Sequence, residues 1–259
     1  MSHLGSLCLA WQVKDKHCLV IGGGEVALSR VQHLLYAQAK ITIITGEGNI
    51  HPGIVKLNNE GKIFNFLQRN YQPNDLVMYE TGTITETLDH QLISQFVHDQ
   101  MIAIVCCCID DYELSTKIYY QCKVKRLPVN IADKPPLCDF YFGSMFNQDN
   151  LQIMISTNGK SPRLLKIVKD TIARNFEGID INKAVENLGK IRLGLRSKVI
   201  QDDDLASIEI RMKWIKDLTD MFTVGQWSQL DLKDENVSNI LQWFPDFPPS
   251  NYTEFVASI

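Results

Sequence analysis

The sequence predicts an α/β fold: a parallel sheet in the N-terminal part, a small α+β region after it, and a helical C-terminal part. Three observations support this prediction. A short apolar run ends in a glycine turn, helical spacing follows the turn, and a β-branched run follows the helix, which is typical of a βαβ unit. After residue 139, two apolar runs are joined by a polar loop. From Asn182 onward the periodicity is helical.

The predicted elements of residues 1–139 alternate between strands and helices. Strands are predicted where apolar and β-branched residues run together, and helices where apolar residues recur at helical spacing. This alternation predicts a parallel sheet with helices on its faces. The predicted strands are His17–Ile21, Ile41–Ile44, Ile63–Phe66, Ile102–Cys108 and Pro128–Ala132, and the predicted helices are 25–39, 92–98 and 112–125.

The rest of the chain predicts two strands followed by helices. Phe140–Gly143 and Leu151–Ile155 are apolar runs. Ser161 and Pro162 are residues preferred at a helix N-cap and first turn, so a helix is expected to begin there. The tail after Pro249 is expected to be poorly ordered.

Composition argues against several partner classes. The net charge is -4 and the pI is about 5.9, which does not favour nucleic acid. No apolar run reaches the length of a membrane span, and the N-terminus lacks a basic-then-apolar signal segment. Seven cysteines without C-x-x-C spacing argue against a zinc ribbon. We therefore expect a cytoplasmic protein with reduced cysteines, no membrane contact and no nucleic-acid partner.

A basic island runs from Lys160 to Lys198, with ten Lys or Arg against four Asp or Glu. A positive segment in an acidic chain indicates a local anionic ligand, although solvated helix faces would give the same pattern. Because the last of the six histidines is His98, a His-ligated metal centre in the second half is not expected, and no metal site is predicted.

The glycine turn has the spacing Gly22-x-Gly24-x-x-Ala27 between a strand and a helix. Gly22 allows a tight turn, Gly24 lets a pyrophosphate approach, and Ala27 allows close helix–strand packing. The free N–H groups at the helix start attract phosphate. In this context the motif predicts a Rossmann-like dinucleotide site. Glu47 lies near the position that binds the ribose, and no Arg follows it, so NAD is favoured over NADP.

Asn130-Ile131-Ala132-Asp133 falls at the carboxyl end of a predicted strand, where open α/β sheets bind ligands. Asp133 is the best candidate for a catalytic carboxylate, and a partly buried setting would raise its pKa towards working pH. Alternatively, Asp133 only caps a turn before two prolines.

Ser156–Arg163 forms a second glycine turn before a predicted helix, with Lys160 and Arg163 beside it. This arrangement suits carboxylates or phosphates, although an ordinary capped helix would look the same. Cys106–Cys108 look like a redox or metal site, but successive strand residues point to opposite faces, so structural packing is favoured.

These motifs together resemble the siroheme synthase family, and within it the fungal bifunctional precorrin-2 dehydrogenases and sirohydrochlorin ferrochelatases. The resemblance covers about residues 5–200. The joint pattern is specific, whereas each motif alone is not. The motifs are Gly22-Gly23-Gly24-Glu25-Val26-Ala27, Asn130-Ile131-Ala132-Asp133, Cys138-Asp139-Phe140-Tyr141-Phe142 and Ile155-Ser156-Thr157-Asn158-Gly159-Lys160-Ser161-Pro162.

The resemblance implies an NAD-binding Rossmann domain at 1–139, a dimerisation region at 140–190 and a helical domain at 191–259. It implies a homodimer that oxidises the tetrapyrrole precorrin-2 with NAD⁺ and then inserts ferrous iron, a substrate, to give siroheme. It assigns Asp133 to both steps. Expected cofactor contacts are Gly22, Gly24, Glu25, Val26, Ala27, Gly46, Glu47, Cys107 and Asn130, and expected tetrapyrrole contacts are Thr157, Asn158, Lys160, Ser161 and Arg163.

Other functions remain open at this point. A precorrin-2 dehydrogenase without chelatase activity would have the same motifs. A non-catalytic NAD-binding sensor would bind the cofactor without forming NADH. An unrelated small-molecule dehydrogenase would leave the basic island unexplained.

Overall fold

The structure, a computed structural model, describes residues 7–48, 50–82, 89–158, 160–199 and 203–259. Within it the chain divides into two compact units. The N-terminal unit is Leu9–Phe142, and the C-terminal unit contains Gly143–Ile259.

The N-terminal unit is built on a five-stranded parallel sheet in the order β3-β2-β1-β4-β5. The strand order reverses at β1, between β2 and β4, so a crevice is expected at the carboxyl ends of these strands. The strands are β1 (His17–Ile21), β2 (Lys40–Thr45), β3 (Asn65–Gln68), β4 (Ile102–Cys107) and β5 (Val129–Ile131), and the helices are α1 (Glu25–Tyr36), α2 (Pro52–Asn59), α3 (His90–Asp99) and α4 (Tyr112–Val124).

Both faces of the sheet are buried because successive strand residues point in opposite directions. Val20 and Cys106 pack on one face together with Val31 of α1. Leu19 and Cys107 pack on the other face with residues of α4. Burial on both faces explains the near-continuous apolar runs of β1 and β4. The predicted α/β fold with a Rossmann-like parallel sheet is confirmed.

The C-terminal unit combines an antiparallel hairpin with helices. Trp214, Trp227 and Phe255 lie in the core that the helices enclose. One turn of π-helix, Leu195–Val199, follows the second helix. The strands are β6 (Ser144–Gln148) and β7 (Leu151–Ile155), and the helices are α5 (Pro162–Asn175), α6 (Ile181–Gly194), α7 (Leu205–Asp220), α8 (Val224–Gln229), α9 (Asp234–Leu241) and α10 (Tyr252–Ser258).

Two local predictions were wrong. The strand expected at Phe140–Gly143 begins only at Ser144. The tail after Pro249 is not poorly ordered: it forms α10, whose N-terminus is capped by the Asn251 side chain and whose Phe255 is fully buried. None of the helices in the described parts of the chain is long and apolar enough to cross a membrane.

Candidate functional site

Gly22 turns the chain sharply at the carboxyl end of β1. Its φ is +118°, which L side chains rarely adopt, and a Cβ there would lie 2.4 Å from the Cys108 carbonyl oxygen. Its N–H donates to the Ile44 carbonyl oxygen at 2.8 Å, which extends the pairing of β1 with β2. This position therefore requires glycine, because any side chain would be strained and would also collide with Cys108.

The first turn of α1 has backbone N–H groups that no side chain caps. Gly24 is the N-cap residue, and a Cβ added to it would meet no atom within 4 Å. Ala27 is fully buried in the core beneath the turn. A helix start with free donors carries partial positive charge and binds phosphate groups. The turn thus fits the pyrophosphate of a dinucleotide.

A cavity of about 420 Å³ opens over this turn, within the usual size range of small-molecule sites. We call it the cleft. Its walls come from the carboxyl ends of the first four strands and the starts of α1 and α4. It contains five of the predicted cofactor contacts, namely Gly22, Gly24, Glu25, Val26 and Gly46.

Two acidic residues predicted to contact the cofactor are exposed. The Glu25 carboxylate lies 2.7 Å from His51 Nε2, and the other His51 ring nitrogen caps α2. Glu47 is exposed directly after Gly46. A Cβ at Gly46 would lie 2.7 Å from Asn70 Oδ1, so glycine leaves room for the Asn70 side chain at this edge of the cleft.

Arg69 reaches the cleft from the end of β3 and was missed by the sequence reasoning. The β2–β3 register ends at the pair Thr45–Gln68, so Gly46 and Arg69 each follow the last paired residue of their strand. Its guanidinium donates two hydrogen bonds to Asp75, at 2.6 and 2.9 Å, and these bonds raise the pKa of Arg69. No arginine closely follows Glu47 in the sequence, and Arg69 comes from the end of the neighbouring strand β3.

The three successive cysteines at the end of β4 occupy different environments. Cys106 and Cys107 are fully buried on opposite faces of the sheet, so for them the packing interpretation is confirmed. Cys108 lines the cleft, and Cys107, the predicted cofactor contact, is not among the lining residues. Burial raises the pKa of Cys107 to about 11 and that of Cys108 to about 12, so both remain thiols at neutral pH.

Asn130 is buried in β5 and organises the chain that follows. Its side-chain nitrogen donates to the Phe140 carbonyl oxygen at 2.8 Å and to Cys138 Sγ at 3.4 Å. The β4–β5 register pairs it with Cys106. The side chain therefore stabilises the turn after β5, and it is not among the residues that line the cleft.

Asp133 lies in the turn directly after β5, at the same edge of the sheet as the cleft. Its φ is +57°, a left-handed conformation that Asp and Asn adopt more readily than most residues. Its side chain is exposed, so the expectation of a partly buried setting was wrong. The turn carries the carboxylate beyond the end of β5, where it is accessible to a substrate.

The second glycine turn belongs to the C-terminal unit and brings the predicted tetrapyrrole contacts together. Ser161 Oγ accepts the Leu164 N–H at 3.4 Å, and Thr157 Oγ1 accepts the Ser161 N–H at 3.1 Å. Lys160 and Arg163 are exposed. Asn158 has a φ of +51°, and Gly159 lies outside the described residues. The Ser161 hydroxyl thus caps α5, and the Thr157 hydroxyl accepts the N–H of that cap residue.

The basic island is partly neutralised by acidic partners. Lys183 lies 3.9 Å from Asp231, and Arg196 lies 2.7 Å from Asp203. Within the described residues, no group of three or more His, Cys, Asp or Glu side chains is placed to hold a metal ion.

Three family models match this chain in succession. The model described as "Putative NAD(P)-binding" matches residues 9–144, which include the whole glycine turn and the cleft. The model of the sirohaem biosynthesis protein central region matches residues 148–175, and that of the sirohaem biosynthesis protein C-terminal region matches residues 179–247.

Two curated relatives from yeasts are similar over most of their length. A siroheme biosynthesis protein of Saccharomyces cerevisiae is 35% identical over 246 residues, which cover 88% of this chain and 87% of the relative. The chain belongs to the siroheme biosynthesis family. A siroheme biosynthesis protein of Schizosaccharomyces pombe is 32% identical over 247 residues, which cover 95% of this chain and 82% of the relative.

A solved structure supports the fold of this siroheme biosynthesis protein. It is described as "SirC, precorrin-2 dehydrogenase", and its TM-score is 0.56 at 18% identity. The match covers 85% of this chain and 94% of the other.

Proposed function

We propose that this chain oxidises precorrin-2 to sirohydrochlorin with NAD⁺ and then inserts ferrous iron to give siroheme. The observation that carries the dehydrogenase step is the glycine turn, where Gly22 and an uncapped α1 border the cleft in a member of this family. NAD⁺ bound in the cleft would supply the hydride acceptor. Glu47 is not followed by an arginine in the sequence, which favours NAD⁺ over NADP⁺.

The residues of the N-terminal unit bind the cofactor and move a proton. Gly22 and Gly24 admit the pyrophosphate, and the α1 N–H groups bind it. Asp133 takes the proton that leaves the macrocycle with the hydride, because its accessible carboxylate lies at the same edge of the sheet as the cleft. In the second step the same carboxylate helps to remove pyrrole N–H protons as iron enters.

The residues of the second glycine turn bind the carboxylates of the tetrapyrrole. The substrate has eight carboxylates on a flat apolar macrocycle, and exposed Lys160 and Arg163 offer charge-assisted hydrogen bonds to them. Thr157, Asn158 and Ser161 add polar atoms to the same turn.

The chain forms a homodimer through the region 140–190. α5 has no buried residue, and Leu164, Ile167 and Val168 are 49%, 48% and 37% exposed on one stripe. A second copy would cover this apolar stripe. All seven cysteines are free, which fits a reducing cytoplasm.

The deciding experiment mixes the protein with precorrin-2 and NAD⁺ and follows NADH and the macrocycle spectrum together. We expect Asp133→Ala and Asp133→Asn to lower NADH formation at least about 100-fold with NAD⁺ binding retained. Asp133→Asn keeps a residue that accepts the left-handed turn. Asp15→Asn is the matched control, since Asp15 is exposed with a φ of +58° at the opposite edge of the sheet. Full turnover by Asp133→Asn would remove Asp133 from the chemistry.

The iron step is tested separately. Insertion of ferrous iron or cobalt into sirohydrochlorin without NAD⁺ would support the second activity. NADH formation without metal insertion would leave a dehydrogenase alone, and NAD⁺ binding without NADH formation would indicate a sensor.

A further inference from the structure

Arg69 is a cation at the edge of the cleft where an adenosine ribose would lie. In dinucleotide-binding sheets, residues at the end of the second strand bind this ribose. Gly46 follows β2 and Arg69 follows β3, and both residues line the cleft. An arginine here is suited to bind the 2′-phosphate that distinguishes NADP⁺ from NAD⁺, because its planar fork matches a phosphate.

Three of the five N–H donors of the Arg69 guanidinium already bond within this chain. Nη1 donates to Asp75 Oδ2 at 2.9 Å and to the Asn70 carbonyl oxygen at 3.0 Å, and Nη2 donates to Asp75 Oδ1 at 2.6 Å. These bonds take both protons of Nη1 and one of Nη2, and the carboxylate that accepts two of them neutralises the charge that would attract a phosphate.

Asp75 is held firmly in place. Its side chain is only 5% exposed, against 36% for Arg69, and one of its oxygens accepts the Gln72 N–H at 2.7 Å. This bond caps the short 3-10 helix Pro73–Val77. The carboxylate therefore cannot swing away when a nucleotide enters, and it presents a negative charge behind the guanidinium.

We infer that the Arg69–Asp75 pair sets the preference for NAD⁺ over NADP⁺, because Asp75 neutralises and immobilises the arginine that would otherwise bind a 2′-phosphate. This inference rests on the proposed nucleotide site. It names Asp75 as a specificity-determining residue that acts through Arg69.

The test measures binding of 5′-AMP, 2′,5′-ADP and NAD⁺ to the full chain by calorimetry. In the wild type we expect 2′,5′-ADP to bind more weakly than 5′-AMP, and equal or tighter binding would overturn the inference. Asp75→Asn keeps the shape of the side chain and an acceptor for the Gln72 N–H, but it removes the charge. We expect it to strengthen 2′,5′-ADP binding about tenfold or more while 5′-AMP binding changes by less than about threefold. In Asp75→Asn/Arg69→Gln the gain disappears.

A matched control releases a cation at the opposite edge of the same sheet. Lys40 begins β2 and pairs with Asp99 at 2.8 Å, so Asp99→Asn makes the same change of charge away from the cleft. It should leave 2′,5′-ADP binding unaltered. An equal gain in this variant would mean that net charge, not Arg69, controls the preference and would overturn the inference.

Other outcomes also decide the question. Unchanged 2′,5′-ADP binding in folded Asp75→Asn, or a gain that persists in the double variant, overturns the inference. If circular dichroism shows that Asp75→Asn is unfolded, the Arg69→Gln variant is measured in its place. Because Asp75 already neutralises Arg69, this variant should lose no affinity for 2′,5′-ADP. A loss greater than about threefold overturns the inference. Failure of the wild type to bind 5′-AMP and NAD⁺ would instead remove the proposed function itself.

Discussion

Two helices of this protein, α1 and α5, begin after glycine-containing turns, but their N-termini are different. At α1 the N-cap is Gly24, no side chain bonds to the first turn, and the cleft lies beside it. At α5 the N-cap is Ser161, whose hydroxyl accepts the Leu164 N–H. Thr157 accepts the Ser161 N–H in the same turn. The capacity to bind an anion through the backbone therefore depends on whether the donors are already used.

The source of the positive charge also differs between the two N-termini. α1 has Glu25 in its first turn, paired with His51, so its attraction for an anion comes from backbone N–H groups. Beside α5 the exposed cations Lys160 and Arg163 provide the attraction. The first turn suits a pyrophosphate lying against the main chain, and the second suits carboxylates that reach exposed side chains.

The largest effect is expected at the turn before α1. Gly22→Ala should lower the free energy of unfolding by about 3 kcal/mol and abolish nucleotide binding, because the new Cβ would collide with the Cys108 carbonyl oxygen in a strained conformation. Gly61→Ala is the control: its φ is +67°, but a Cβ there meets nothing within 4 Å, so it should cost only about 1 kcal/mol. Urea denaturation and calorimetry measure both. Equal losses of stability would contradict the clash.

A smaller effect is expected from a substitution that makes the N-terminus of α1 resemble that of α5. Gly24→Ser adds a side chain that can cap the first turn, so stability should be unchanged or rise by a few tenths of a kcal/mol. NAD⁺ affinity should fall about tenfold, because the hydroxyl takes a donor that the pyrophosphate needs. Thermal melts and NAD⁺ titrations on one preparation test this. Unchanged affinity would show that free α1 donors are not what binds the nucleotide.

The smallest effect is expected at α5. Ser161→Ala removes the cap and should lower stability by about 1 kcal/mol, measured by urea denaturation. Thr171→Ala is a matched control in the same helix, because the Thr171 hydroxyl donates to Ile167 within the helix and caps nothing. It should change stability by less than about 0.5 kcal/mol. A Ser161→Ala variant as stable as this control would mean that the cap contributes little.

The sequence predicted the features that depend on residues close together in the chain. β1 was predicted with its observed bounds, because a buried run and a glycine turn are local signals. Arg69 was not predicted, since its place at the cleft follows from the pairing of β3 with β2. Cys108 was not predicted to line the cleft, because the last side chain to face the cleft depends on where β4 ends.

The cap at Ser161 illustrates a different limit. Both glycine turns precede helices, and the residue pattern of the second turn was compatible with a ligand site and with an ordinary cap. Only the three-dimensional structure shows which donors the side chains already bind. The prediction of a poorly ordered tail after Pro249 was wrong for a related reason. Phe255 is buried by tertiary contacts that no local pattern reveals.

Because the N-terminus of α1 is uncapped, the stability of the N-terminal unit would depend on the concentration of a dinucleotide bound there. Donors that the chain leaves unsatisfied gain partners once a dinucleotide occupies the cleft, so folding and occupancy become coupled equilibria. At a cofactor concentration one hundred times the dissociation constant, the coupling contributes about 2.7 kcal/mol. Depletion of the nucleotide pool would then shorten the lifetime of the folded enzyme as well as slow its reaction.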